Sequence, residues 1–158
     1  MTWNGQKPSF GLWAPTAQKV SLLLWPAAAA ADAPVGQATR VLMTRRSDGS
    51  WGADADAQWR GARYLFEVVV FTPSTSTVET NLVTDPYSVA LTLDSTRSVA
   101  VDLADPTLKP ALWQGSSAPA LKQRVDQTIY ELHVRDFSVS DTTVPAAHRG
   151  SYLAFADN

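Results

Sequence analysis

The side chains that could do chemistry are few in this sequence and widely spaced. The two histidines, His133 and His148, have no serine or aspartate at a spacing that indicates a nucleophile and its base, and no G-x-S-x-G motif occurs. The absence of cysteine excludes disulfides, thiolate metal ligands and cysteine nucleophiles. Since there is also no histidine pair at ligand spacing and no glycine-rich phosphate loop, we predict no catalytic residue, no metal and no cofactor.

Carboxylates are plentiful, with 15 Asp and Glu residues in the sequence. Their number alone leaves room for an acid and a nucleophile of the glycosidase type, but most lie in turn-like segments, which indicates solvated side chains. Glu131, His133 and Arg135 differ, because they alternate along one segment and would share one face of a strand. Burying three such groups without partners is costly. Either the row faces a polar interior or a partner surface, or it is the exposed face of an edge strand. The spacing of the residues leaves these two alternatives open.

The aromatic residues offer a second kind of chemistry. Six tryptophans occur, at positions 3, 13, 25, 51, 59 and 113. Their rings can stack on the flat faces of sugars, and they also anchor the cores of β-sandwiches. For each ring we expect packing more often than binding.

Composition and charge exclude several classes of protein. Hydrophobic residues make up 45% and charged residues 18% of the 158-residue chain, which is typical of a folded domain. The net charge of -2 gives no electrostatic reason to bind nucleic acid or an anionic membrane. No apolar run is long enough to span a bilayer and no signal peptide is visible, so the sequence predicts a soluble chain.

Short segments with period-two alternation, separated by turns, predict an all-β fold, an immunoglobulin-like β-sandwich over residues 1–104. Residues 105–127 are rich in proline and serine and read as a linker. Residues 128–158 begin a second domain, with a strand at Thr128–Phe137. The other predicted strands are Ser9–Ala14, Lys19–Trp25, Thr39–Thr44, a short strand within Trp51–Trp59, Arg63–Phe71, Val78–Val83 and Ser98–Leu103.

Long motifs along nearly the whole chain resemble one family. They match the carbohydrate-binding module family 48 domain of type I pullulanases and limit dextrinases, followed by the first strand of a glycoside hydrolase family 13 (β/α)8 barrel. The motifs are Phe10–Ala17, Val78–Ser88, Asp105–Pro110 with Trp113, Ile129–Ser138 and His148–Phe155.

This resemblance implies a parent enzyme that hydrolyses α-1,6 linkages in pullulan or branched dextrins. The motifs that carry the family's catalytic carboxylates are absent, and one strand of eight cannot close a barrel, so the chain alone is expected to be inactive. The implied role is an accessory module that packs on the catalytic barrel of its own polypeptide. Trp113 and Tyr87 are then the candidates for packing between domains.

Two other functions stay open at this point. An autonomous module that binds α-glucan would use Trp25 and Asn81. The residues at two positions argue against glucan binding. Glycogen-binding members of the family carry a tryptophan near the position of Leu82 and a lysine near that of Glu67. An unrelated immunoglobulin-like interaction domain would explain the strands but not the segment from Ile129. The tail from Thr128 has lost its barrel neighbours, so we expect it to be flexible or to add as a strand to a sheet edge or another molecule.

Overall fold

The computed structural model describes residues 1–156, in which the chain divides into two units, Met1–Pro110 and a second unit that begins at Ala111. The first unit carries all the strands of these described residues. The strands are β1 Thr2–Asn4, β2 Lys7–Trp13, β3 Lys19–Trp25, β4 Thr39–Leu42, β5 Thr44–Arg45, β6 Ser50–Asp54, β7 Arg63–Thr72, β8 Thr77–Val83 and β9 Ser98–Val99. Single 3-10 turns lie at Val35–Gln37, Ala57–Trp59, Leu93–Ser95 and Pro106–Leu108.

The strands form two antiparallel sheets that pack as an immunoglobulin-like sandwich, so the predicted fold class is confirmed. One sheet has the order β1-β2-β6-β5. The other has the order β4-β3-β7-β8, and β9 pairs with the start of β7. The short strand β1 was not predicted, and β9 ends at Val99 rather than at Leu103.

The core lies between the sheets and follows the period-two alternation of β3 and β7. Along β7, Tyr64, Phe66 and Val68 point inward, as their spacing predicts. Phe10 on β2 meets Tyr64 edge to face, with 4.8 Å between the ring centroids. The buried members of the cluster are Phe10, Ala17, Val20, Leu22, Leu24, Met43, Trp51, Ala62, Tyr64, Phe66, Val68 and Ala100.

Up to residue 156, the second unit contains one short helix, α1 Val134–Ser138, and 3-10 turns at Trp113–Gly115, Arg124–Asp126 and Tyr152–Phe155. The strand predicted at Thr128–Phe137 is therefore wrong. A strand needs a neighbour for its N–H and C=O groups, and no strand pairs with this segment within residues 1–156. The chain instead makes its bonds locally: Phe137 N donates to the His133 carbonyl at 3.0 Å, and Val139 N to that of Arg135 at 2.9 Å.

No helix within residues 1–156 is long and apolar enough to cross a bilayer.

Candidate functional site

The turn after β8 is held by a buried carboxylate. Asp85 is buried, and its Oδ2 accepts a hydrogen bond from the hydroxyl of Tyr64 at 2.8 Å. Its Oδ1 accepts from the backbone N–H of Tyr87 at 2.8 Å, and its own N–H donates to Ser98 Oγ at 2.9 Å. Burial, followed by the hydrogen bond to Asp85, raises the pKa of the Tyr64 hydroxyl, so it stays a proton donor near neutral pH. The turn is therefore fixed from within the core.

That turn presents Tyr87 to solvent. Its side chain is 83% exposed although its backbone is bonded to Asp85. Pro86 precedes it and is also exposed. A rigid backbone with an aromatic ring in water is the arrangement of a preorganised contact residue, because little conformational freedom is left to lose on binding.

Trp13 reaches the same surface from β2. It is the last residue of that strand and is 72% exposed. The segment after it is held in place: Trp51 Nε1 donates to the Ala14 carbonyl at 2.9 Å, and Ala14 N to the Gly49 carbonyl at 3.3 Å. Trp13 alternates with Phe10 and Leu12, so it points away from the core they help to form.

Trp13 and Tyr87 line one shallow depression of about 260 Å³, together with Gly11, Leu12 and Pro86. Tyr87 also lines a neighbouring depression of about 240 Å³, which includes Val89 and Leu103. We call the exposed apolar residues of this surface the aromatic patch. Its members are Trp13, Pro86, Tyr87, Val89 and Leu103. Exposed apolar residues that adjoin one another in this way make the surface a candidate interaction site.

Trp25 was predicted to contact sugar, and the structure corrects this. The ring lies at the end of β3 with no exposed surface, and its Nε1 donates to the Pro34 carbonyl at 3.1 Å. The guanidinium of Arg97 stands 4.0 Å from the ring centroid, and it donates to the Ala33 carbonyl. The loop between β3 and β4 therefore folds back over the outer face of the sheet, and no face of Trp25 is left for a sugar ring.

Asn81, the other predicted sugar contact, is half-buried on the edge strand β8, opposite Val68. Leu82 and Glu67 lie directly opposite each other on the outer face of the same two strands. The carboxylate of Glu67 accepts a hydrogen bond from the guanidinium of Arg40 at 2.7 Å. This face thus offers a leucine and a neutralised ion pair rather than an aromatic platform with a free cation.

The two predicted packing residues lie in different units, Tyr87 in the first and Trp113 in the second, and both rings are exposed. The charged row of the sequence analysis is exposed as well, at Glu131, His133 and Arg135. These side chains therefore need no polar interior. His133 precedes α1, and its Nδ1 accepts from the N–H of Asp136 at 3.4 Å.

Trp13, which lies in the aromatic patch, is not among the residues predicted from the sequence. The signal was present, since the alternation of β2 places it outward beside Ser9 and Gly11. Among residues 1–156, no group of three or more His, Asp or Glu side chains could hold a metal ion. A further depression, of about 550 Å³, is lined by Pro15 and residues 45–49, which include one carboxylate, Asp48.

Removal of the Asp85 carboxylate tests how far the fold supports the patch. We expect Asp85→Ala to lower the free energy of unfolding by about 2–4 kcal/mol, because the Tyr64 hydroxyl and the Tyr87 N–H lose their acceptor. Urea denaturation measures this. In a double-mutant cycle with Tyr64→Phe, the two effects should fall short of additivity. Fully additive effects would show that the 2.8 Å contact between these side chains contributes nothing.

The fold and the patch define a β-sandwich module that presents an exposed aromatic surface. Residues 1–88 match the family described as carbohydrate-binding module 48, the isoamylase N-terminal domain, and the chain belongs to that family.

The chain is also similar to several pullulanases. It is 37% identical to the chloroplastic pullulanase 1 of Arabidopsis thaliana over 150 residues, which is 93% of this chain and 15% of that protein. It is 40% identical to the pullulanase of Klebsiella aerogenes over 150 residues, which is 92% of this chain and 13% of that protein. The crystal structure of Klebsiella pneumoniae pullulanase complexed with maltotriose superposes with a TM-score of 0.83 at 37% identity, covering 94% of this chain and 14% of that one. The chain thus spans about one seventh of these relatives.

Proposed function

We propose that this chain is the accessory module of a pullulanase-type debranching enzyme and that it packs through the aromatic patch on the catalytic part of its own polypeptide. The enzyme would hydrolyse α-1,6 linkages in pullulan or branched dextrins, and its catalytic carboxylates would lie outside this chain. The pullulanase relatives, each about seven times longer than the matched region, support this arrangement.

The observation that carries the proposal is the exposure of Trp13 and Tyr87 on a backbone fixed from inside the core. Water contact at two large aromatic rings is unfavourable, and a second protein surface would remove it. Residues 105–127 then act as the connection, with Trp113 as a further contact, and the segment from Thr128 begins the catalytic domain.

Glucan binding on the same patch is the second candidate. An exposed tryptophan and tyrosine that line one depression resemble the stacking platforms that hold sugar rings. On this hypothesis the partner of the patch is a branched maltooligosaccharide rather than protein.

One experiment separates the two candidates. The chain is titrated with β-cyclodextrin and with maltotriose up to millimolar concentration, with tryptophan fluorescence and backbone amide shifts as readouts, and its action on pullulan is followed by a reducing-sugar assay. We expect no reducing sugar and no saturable shift. Saturable shifts at Trp13 and Tyr87 would replace the packing proposal with the glucan proposal, and release of sugar would overturn both.

A further inference from the structure

The edge of the second sheet is open at β8. In the part of the chain that the structure describes, Thr77–Val83 pairs with β7 on one side and with no strand on the other. The strand contains no proline, lysine or arginine and only one charged residue, Glu79. Natural edge strands are usually protected by such residues or by bulges. An edge of seven residues without them is available for pairing with another strand.

The β8 sequence fits a second copy of itself. In an antiparallel pair related by a two-fold axis at Thr80, each Thr80 lies opposite the other copy's Thr80. Val78 then lies opposite the other copy's Leu82, and Glu79 lies opposite Asn81. Seven residues of each strand are paired, and no two like charges are opposed. Moving the two-fold axis by one residue, to Glu79, shifts the pairing by two residues and would place two glutamates face to face, which is unfavourable.

The same register joins exposed apolar side chains across the boundary. Val78 is 50% exposed and Leu82 is 44% exposed, and both lie on the outer face of the sheet. Phe71, which pairs with Val78 on β7, is 52% exposed. The two-fold pair therefore contains two equivalent rows of side chains across the boundary. Each row runs from Phe71 and Val78 of one copy to Leu82 and Glu67 of the other copy. Cross-strand apolar pairs of this kind are the unit that stabilises a sheet.

We infer that two copies of this chain associate through their β8 edges, in a register centred on Thr80, to make one sheet of twice the width. The inference is independent of the aromatic patch, because it rests on β8 and its neighbour β7.

Cysteine cross-linking tests the register directly, since the natural sequence has no cysteine. We expect Thr80→Cys to form a covalent dimer under mild oxidation, because the two introduced cysteines face each other. Thr77→Cys is the matched control on the same strand. In the proposed register its two copies are about 20 Å apart, and it should stay monomeric on a non-reducing gel.

The non-covalent dimer is measured by sedimentation equilibrium of the 158-residue chain and of Thr80→Lys and Thr80→Glu. We expect each charged variant to weaken self-association about tenfold, and their equimolar mixture to recover it, because opposite charges then meet at residue 80. Tyr87→Ala should leave association unchanged. The inference is overturned if the natural chain is monomeric at millimolar concentration. It is equally overturned if a dimer forms but Thr80→Cys cross-links no faster than Thr77→Cys.

Discussion

Trp25→Ala is expected to lower the free energy of unfolding by about 3–5 kcal/mol, the usual effect of truncating a fully buried tryptophan. Three features of the structure depend on this ring. It fills the cluster with Leu23, Ala33 and Leu65, it bonds to the Pro34 carbonyl, and it stacks on Arg97. Without it, the loop between β3 and β4 loses the surface that it covers, and the buried guanidinium loses its aromatic partner.

Urea denaturation of Trp25→Ala and of Trp13→Ala measures this effect with a matched control. Both variants remove the same side chain at the end of a strand, but Trp13 is exposed. We therefore expect Trp13→Ala to change the free energy of unfolding by less than about 1 kcal/mol. Equal stability of the two variants would contradict the buried position of Trp25. The result also has a practical consequence: loss of sugar binding in Trp25→Ala would report unfolding rather than a lost platform.

Truncation of the aromatic patch should produce the opposite pattern, a large loss of binding with little loss of stability. On the proposal that this chain is the accessory module of a longer enzyme, we expect Trp13→Ala and Tyr87→Ala each to weaken association with the catalytic part of that enzyme, produced as a separate chain, by about thirtyfold or more. The physical reason is that large aromatic side chains held on a rigid backbone carry most of the energy at protein interfaces.

Isothermal titration calorimetry of the natural chain and the variants gives the dissociation constants. Leu42→Ala is the control, because Leu42 is an exposed apolar residue outside the patch. Thermal unfolding of each variant shows whether the fold is retained. If both patch variants are folded and bind with unchanged affinity, the proposal that the aromatic patch forms the interface is contradicted.

The sequence was sufficient for the parts of the fold that depend on alternation. β3 begins and ends where the pattern predicts, and the inward row of β7 from Tyr64 is found in the core. These strands are bounded by turns, and one face of each lies against the core between the sheets, so period two determines which side chains point into that core. The prediction of a strand from Thr128 was wrong because alternation alone does not supply a partner. The segment has the alternation of a strand, but no partner strand is present among residues 1–156.

The site was harder to predict because exposure depends on long-range contacts. Alternation alone puts Trp25 on the outer face of its sheet, where an exposed ring would be expected. The loop that covers it and Arg97, which is far away in the sequence, cannot be derived from period two. Tyr87 was identified from a motif, but its rigidity comes from the bond between Tyr64 and Asp85, whose side chains lie 21 residues apart in the sequence.

The proposed packing is tested most directly by a map of backbone amide shifts in the isotopically labelled chain on addition of the catalytic part of the proposed enzyme, produced as a separate chain. The proposal predicts that the shifts concentrate at Gly11–Trp13 and Tyr87–Val89, around the aromatic patch. Shifts that concentrate instead at Glu67 and along β8, with the patch unaffected, would contradict it and place the interface on the outer face of the second sheet.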